Sequence, residues 1–176
     1  DVTDQLYGGD TVVRIRQELV LGVGGLRALK AAGLDPTVFH MNEGHSAFLA
    51  LERVRLLMSD QKLSFDEALE ASRMNNVFTT HTPVAAAFDT FAPELILKYG
   101  QRYIRSLGVS PEELAHLAWP PGARSAPVSM AYIAARGCSH ISAVSELPSR
   151  VTRHIFSALY PRCPLAPLPL TYLTNG

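Results

Sequence analysis

Strand-like and helix-like segments alternate along the 176 residues, which places the chain in the α/β class as a parallel sheet with helices on both faces. Three observations predict this. Short β-branched or aromatic runs occur at Pro36 to Met41, Asn76 to Thr80, His140 to Ser145 and Leu168 to Leu173. Amphipathic helical patterns separate them. The repeated strand-helix-strand order calls for right-handed crossovers between parallel strands.

Composition agrees with one packed unit. The residues are 47% apolar, and a folded chain of this length removes roughly 70% of its unfolded surface from water, so neither disulfide nor structural metal is required. Sixteen basic residues balance sixteen acidic ones, which argues against nucleic acid as a partner because binding by counterion release needs a basic field. Cys138 and Cys163 lack a C-x-x-C spacing, and a reducing cytoplasm is the expected location. No apolar run reaches the ~18–20 residues that cross a bilayer, so no membrane association is expected, and the start DVTDQLYGGD does not read as a signal peptide. The first residue is not Met and the last run, LTYLTNG, stops where a ligand loop would follow, so a fragment is expected.

The elements follow in order. Asp10 caps a helix with Val12, Ile15, Leu19, Val23, Leu26 and Leu29 at three- and four-residue steps, ending near Gly33. Gly22, Gly24 and Gly25 weaken its middle, and close backbone packing is the expected reason. They are no dinucleotide fingerprint, since Arg27 stands where G-x-G-x-x-G needs its last glycine. Pro36 to Met41 reads as a buried strand, then Gly44 to Met58 as a helix with Ala47, Leu51, Val54 and Met58 inward and Glu52, Arg53 and Arg55 mostly in water. Ser64 and Glu67 form a capping box that starts a helix to about Met74. Asn76 to Thr80 is the second strand, and Pro93 opens a helix through Ile104 to Gly108. Ser110-Pro111-Glu112-Glu113 starts a short helix, Trp119 to Pro127 is a loop, and Met130 to Arg136 is helical. A strand over His140 to Ser145, a helix over Pro148 to Leu159 with Val151, Ile155 and Leu159 at four-residue steps, and a strand over Leu168 to Leu173 complete the chain.

Ligands of open parallel sheets bind beyond the carboxyl ends of the strands. All four ends are polar here: His40-Met41-Asn42-Glu43-Gly44-His45, Thr80-His81-Thr82-Pro83, Ser145-Glu146 and Thr174-Asn175-Gly176. Hydroxyl, amide, imidazole and carboxylate groups without net charge suit a polyhydroxy ligand such as a sugar. Asn42 and Thr82 serve equally as turn residues that satisfy backbone groups, whereas His40 and His45 read more readily as satisfied core histidines than as ligands. His81, after a buried strand and before a proline-restricted loop, is the best placed to enter the crevice. Asp89 and Glu146 are by default solvated carboxylates. A metal site is not expected, because His40, Glu43 and His45 have the spacing H-x-x-E-x-H, which matches neither zinc pattern of paired histidines. Neither cysteine has surroundings that would make it a nucleophile.

TDQLYGGD (Thr3 to Asp10), RIRQELVLGVGGLRAL (Arg14 to Leu29), HMNEGHSAFLALER (His40 to Arg53), FTTHTPV (Phe78 to Val84) and LTNG (Leu173 to Gly176) closely resemble the α-glucan (glycogen, maltodextrin or starch) phosphorylase family. The resemblance implies part of the N-terminal Rossmann-like domain of a two-domain fold of the glycosyltransferase GT-B type, with residues 1–176 one partial domain. It also implies phosphorolysis of terminal α-1,4 glucosyl units by inorganic phosphate to glucose 1-phosphate, with retention. The family's pyridoxal 5′-phosphate sits as a Schiff base on a lysine of the second domain, so no cofactor-binding residue is expected here and the isolated chain is expected to be inactive. A homo-oligomer is possible for the whole enzyme. Carried over by motif, His81 matches the histidine that contacts the glucosyl unit, and Glu43 and His45 match an acid and a histidine lining the adjacent pocket. Asn42 and Thr82 flank these as substrate-binding candidates, and Asp89 matches an acid on the loop after THTP.

Some positions depart from the family pattern. Shorter members read THTPVPAGHDRF, whereas Ala85, Ala87 and Phe88 stand at the proline, glycine and histidine. Glu146 replaces an arginine, reversing a charge near the crevice. A sugar-binding or interaction module without catalysis is therefore the alternative.

Overall fold

The computed structural model describes residues 2–4, 9–81, 83–119, 122–123, 126–160 and 168–174. Four parallel strands form the main sheet, namely β1 (Phe39–Asn42), β2 (Asn76–Thr80), β5 (His140–Ala143) and β6 (Leu170–Tyr172), in the order β1-β2-β5-β6. A two-stranded antiparallel ribbon of β3 (Thr90–Phe91) and β4 (Val128–Ser129), absent from the sequence reading, pins the loop after β2. The helices are α1 (Thr11–Leu19), α2 (Gly25–Ala31), α3 (Phe48–Gln61), α4 (Phe65–Arg73), α5 (Pro93–Ser106), α6 (Pro111–Ala118), α7 (Met130–Arg136) and α8 (Glu146–Ser157). No helix among the described residues is long and apolar enough to cross a membrane.

Register sorts the sheet into two unlike faces. Met41, Phe78, Ile141 and Leu170 are laterally paired and all buried, making one apolar row across the strands. Phe156 of α8 meets Phe78 edge-on at 6.1 Å, and Arg53 of α3 lies over Phe39, so both helices cover this face. Right-handed crossovers in a sheet that grows in one direction stack their helices on a common side. The opposite face bears His40, bonded to Thr79 at 2.7 Å, and His140, bonded to Thr171 at 2.8 Å.

The first helix departs from a regular α-helix. Asp10 accepts hydrogen bonds from the Val12 and Val13 amides as expected, but Val20–Gly24 widens into a π-helical turn between α1 and α2. A Cβ on Gly22 would lie 2.6 Å from the Leu49 nitrogen of α3, so two backbones touch there. Close packing does not explain the other two glycines: a Cβ on Gly25 meets nothing within 4 Å, and one on Gly24 meets only Val20 at 3.9 Å.

Three side-chain placements correct the sequence reading. Glu52 is fully buried instead of solvated, because it bonds Arg27 of α2 (2.8 Å) and Arg55 (2.7 Å). Burial opposes its charge, but the two arginine hydrogen bonds outweigh it and hold the carboxyl below its ordinary value. The β1 strand starts at Phe39, whose amide donates to the Asn75 carbonyl at 2.9 Å, and as an edge strand it leaves His40 and Asn42 exposed. In α8 the inward residues are Ser149, Thr152 and Phe156, while Val151 is exposed, so the buried face is rotated from the apolar stripe. Both capping boxes, Ser64 with Glu67 and Ser110 with Glu113, form as their sequences dictate.

Gly22→Ala is expected to destabilise the fold by about 1–3 kcal/mol through overpacking against α3. Gly25→Ala, with open space around it, should stabilise by up to about 1 kcal/mol. Urea denaturation midpoints of the two variants, moving in opposite directions, check this.

Candidate functional site

The parallel register aligns Asn42 with Thr79, so the residues just past β1 and β2 emerge side by side. The ladder continues one step further, where the Glu43 amide donates to the Thr79 carbonyl at 2.9 Å. Glu43 then takes φ 66° and ψ 170°, a region almost reserved for glycine. This backbone turn swings its carboxylate across to the neighbouring strand end. Oε1 there accepts from the Thr80 hydroxyl at 3.3 Å and, by a short bond, from the His81 amide. Gly44 makes the turn possible, because a Cβ at that position would sit 2.9 Å from the Ala131 nitrogen of α7. A 3-10 turn over Gly44–Ser46 leads into α3, with Ser46 Oγ donating to the Glu43 carbonyl at 2.9 Å.

Above this knot the imidazole of His81 is exposed and meets Asn42 Oδ1 through Nε2 at 2.8 Å. An acceptor oxygen at Nε2 selects the tautomer with its proton there and leaves Nδ1 as an acceptor. His45 is half-buried beside these groups. Burial, then the positive charge of Arg14, lowers its pKa, with Asp89 and Glu43 pulling the other way and His81 adding to the lowering. The neutral imidazole is thus favoured, with both nitrogen roles retained.

Four candidates, Asn42, Glu43, His45 and His81, are brought together at the ends of β1 and β2, and Asp89 joins them from the loop before β3. Asp89 holds Arg14 of α1 by a 2.5 Å ion pair. Thr82 lies outside the described residues, as do Asn175 and Gly176. Glu146 does not join the cluster: it opens α8, remains mostly exposed and bonds Arg150 one turn on at 2.7 Å. His40 also stays apart, two residues before the end of β1, where it bonds Thr79. Phe88, at a family histidine position, is buried and stacks on Phe156 at 5.9 Å, and the preceding Ala85–Ala87 form an exposed 3-10 turn.

Sequence reasoning missed Arg14 and Glu18. Glu18 shares the inward face of α1 with Ile15 and Gly22, spaced by three and four residues, and its side chain is 1% exposed. An acid on an otherwise apolar stripe was the available signal. Among the described residues no group of three or more His, Cys, Asp or Glu side chains is arranged to hold a metal ion. Cys138 is buried, which pushes its thiol up to about 12, far from a nucleophile's range.

A parallel sheet with imidazole, amide and carboxylate groups gathered at the carboxyl ends of adjacent strands defines an α/β unit with a polar strand-end cluster. Sequence comparison says which lineage it comes from. The chain is 40% identical to a glycogen phosphorylase of Mycobacterium tuberculosis, with all of this chain aligned to 21% of that protein. It is 37% identical to a maltodextrin phosphorylase of Thermococcus litoralis over 99% of this chain and 20% of that one. A glycogen phosphorylase of Aquifex aeolicus is 28% identical over all of this chain and 25% of its own length. The whole chain is thus similar to a segment of glycogen and maltodextrin phosphorylases and spans about a fifth to a quarter of the length of these relatives. No protein-family model matches it.

The strained backbone at Glu43 has a measurable signature. Glu43→Ala and Glu43→Gly both remove the bonds to Thr80 and His81, but only alanine keeps the backbone penalty. The glycine variant should therefore be the more stable of the two by about 1–3 kcal/mol in chemical denaturation, and equal midpoints would show that no strain is stored there.

Proposed function

We propose that this chain supplies the glucan-contacting strand ends of an α-glucan phosphorylase, and that the cluster of Asn42, Glu43, His45, His81 and Asp89 grips the terminal glucosyl unit during phosphorolysis. The observation that carries the reading is the convergence of these residues at adjacent strand ends, in a chain aligned along its whole length with glycogen and maltodextrin phosphorylases. Glucan and inorganic phosphate are the substrates in this reading. Residues 1–176 are one partial domain, and the reaction belongs to a longer chain.

Each residue has a definite task. His81 accepts from a glucosyl hydroxyl at Nδ1 while Asn42 fixes its ring, and that bond strengthens as the ring gains charge. Thr82, two residues past the end of β2 in sequence, is a further substrate-binding candidate by motif alone. Glu43 and Asp89 place negative charge near the sugar, favouring an oxocarbenium-like transition state without attacking it. None of them acts as nucleophile.

The residues present do not fit pyridoxal 5′-phosphate as its holders. A Schiff base requires a lysine at the site, and the lysines of this chain are Lys30, paired with Asp60, Lys62, bonded to the Ser59 carbonyl, and Lys98, over the Tyr99 ring. The cofactor in this reading belongs to another domain.

A second reading, a sugar-binding module without catalysis, draws on the exposed Ala85–Ala87 turn and the buried Phe88, which replace polar and proline–glycine positions of the family loop. Activity separates the two. His81→Ala in the phosphorylase containing this chain should slow glucose 1-phosphate release by roughly 30- to 1,000-fold, about 2–4 kcal/mol of transition-state stabilisation. The thermal midpoint should barely move, since an exposed histidine with one hydrogen bond contributes about 1 kcal/mol or less. A loss of activity smaller than about threefold would remove His81 from the site.

A further inference from the structure

Glu18 is buried, ionisable and unused by the sugar contacts proposed above. Neither of its carboxyl oxygens has a hydrogen-bond partner, although the side chain is 1% exposed. Arg14, one turn earlier on α1, lies 3.8 Å from Oε1 but gives its 2.5 Å contact to Asp89 instead. An ionised carboxylate left in that position would be a buried charge without a hydrogen bond, which folded proteins avoid. A neutral acid resolves the arrangement. It has an O–H to donate, and the neighbouring Asp89 carboxylate can only accept. One guanidinium then faces one carboxylate, and the charges balance. Burial and the charge of Asp89 push Glu18 up to about 9 against the pull of Arg14, in keeping with this geometry.

We propose that Glu18 is a positioning residue of the strand-end site: as a neutral acid it donates a hydrogen bond to Asp89 and so holds the Asp89–Arg14 pair in place against His45. Arg14 and Asp89 are the groups that bear on Glu18, and the same two bear on His45, so they couple the inward face of α1 to the strand ends. The consequence for sugar binding rests on the function proposed above; the hydrogen bond itself does not.

Glu18→Gln and Glu18→Met separate this from simple packing. Glutamine keeps a donor at the same reach, while methionine keeps length and apolar bulk but no donor. Carboxyl carbon NMR of the parent chain should show Glu18 protonated at pH 7. The His45 titration midpoint should stay within about 0.2 pH unit in Glu18→Gln and move by about 0.5 unit or more in Glu18→Met. The folded parent keeps a proton that the unfolded chain releases near the ordinary carboxyl value of 4.5, so its stability falls as pH rises from there towards about 9, and both variants should lack this slope. If Glu18→Met does not fold, Asp89→Asn serves instead: with Arg14 released to Glu18, the Glu18 titration should drop by about 1 pH unit or more. An ionised Glu18 at pH 7, indistinguishable glutamine and methionine variants, or an unmoved titration in Asp89→Asn overturns the proposal. Titrating the same samples with a maltooligosaccharide tests the glucan reading separately, because failure to bind sugar leaves the Glu18 and His45 titrations unchanged as evidence.

Discussion

The lateral alignment of β1 with β2 is the constraint on which the site depends. Parallel pairing of Asn42 with Thr79 leaves the two chains leaving the sheet at the same height, so side chains distant in sequence become neighbours. One residue of slip would invert the side-chain alternation, sending Met41 out of the apolar row and the Asn42 side chain to the other face. The burial of Met41, Phe78, Ile141 and Leu170 fixes that register, and the core therefore sets the geometry of the polar edge.

The α1–α2 segment makes the second contribution. Its π-helical turn meets α3 backbone to backbone at Gly22, and its arginines reach in two directions: Arg27 to the buried Glu52, and Arg14 to Asp89 beside His45. Both acids on the buried side of this layer, Glu18 and Glu52, sit beside guanidinium groups but in different states of pairing. Glu52 has close bonds to two arginines and keeps its charge; Glu18 has none and favours its proton. Whether a buried carboxyl is ionised follows from the hydrogen bonds it receives as much as from its burial.

The loop after β2 shows how substitutions redistribute roles. Phe88 contributes a stacked aromatic contact with Phe156, strengthening the core beneath the site. Asp89, the next residue, still points to Arg14 and the strand ends. The β3–β4 ribbon, pairing Thr90 with Ser129, holds the loop so that neighbours in sequence can face core and crevice in turn.

By itself the sequence determined the class of fold, nearly every element and most of the candidate site. The strand Asn76–Thr80, the helix Met130–Arg136 and both capping boxes follow from local periodicity and from hydrogen bonds spanning three residues, which need no partner elsewhere. The polar strand ends were legible because parallel sheets expose them at a common edge. Tertiary structure alone decided what depends on contacts across the chain. The Glu52–Arg27 pair joins residues twenty-five apart, the Arg14–Asp89 pair joins residues seventy-five apart, and the face of α8 that turns inward is chosen by Phe78 and Phe88. Local pattern marks Glu52 as a solvated residue and shows no more of Glu18 than an acid on an apolar helical stripe. Only the neighbours that folding brings to them settle whether each carries a charge.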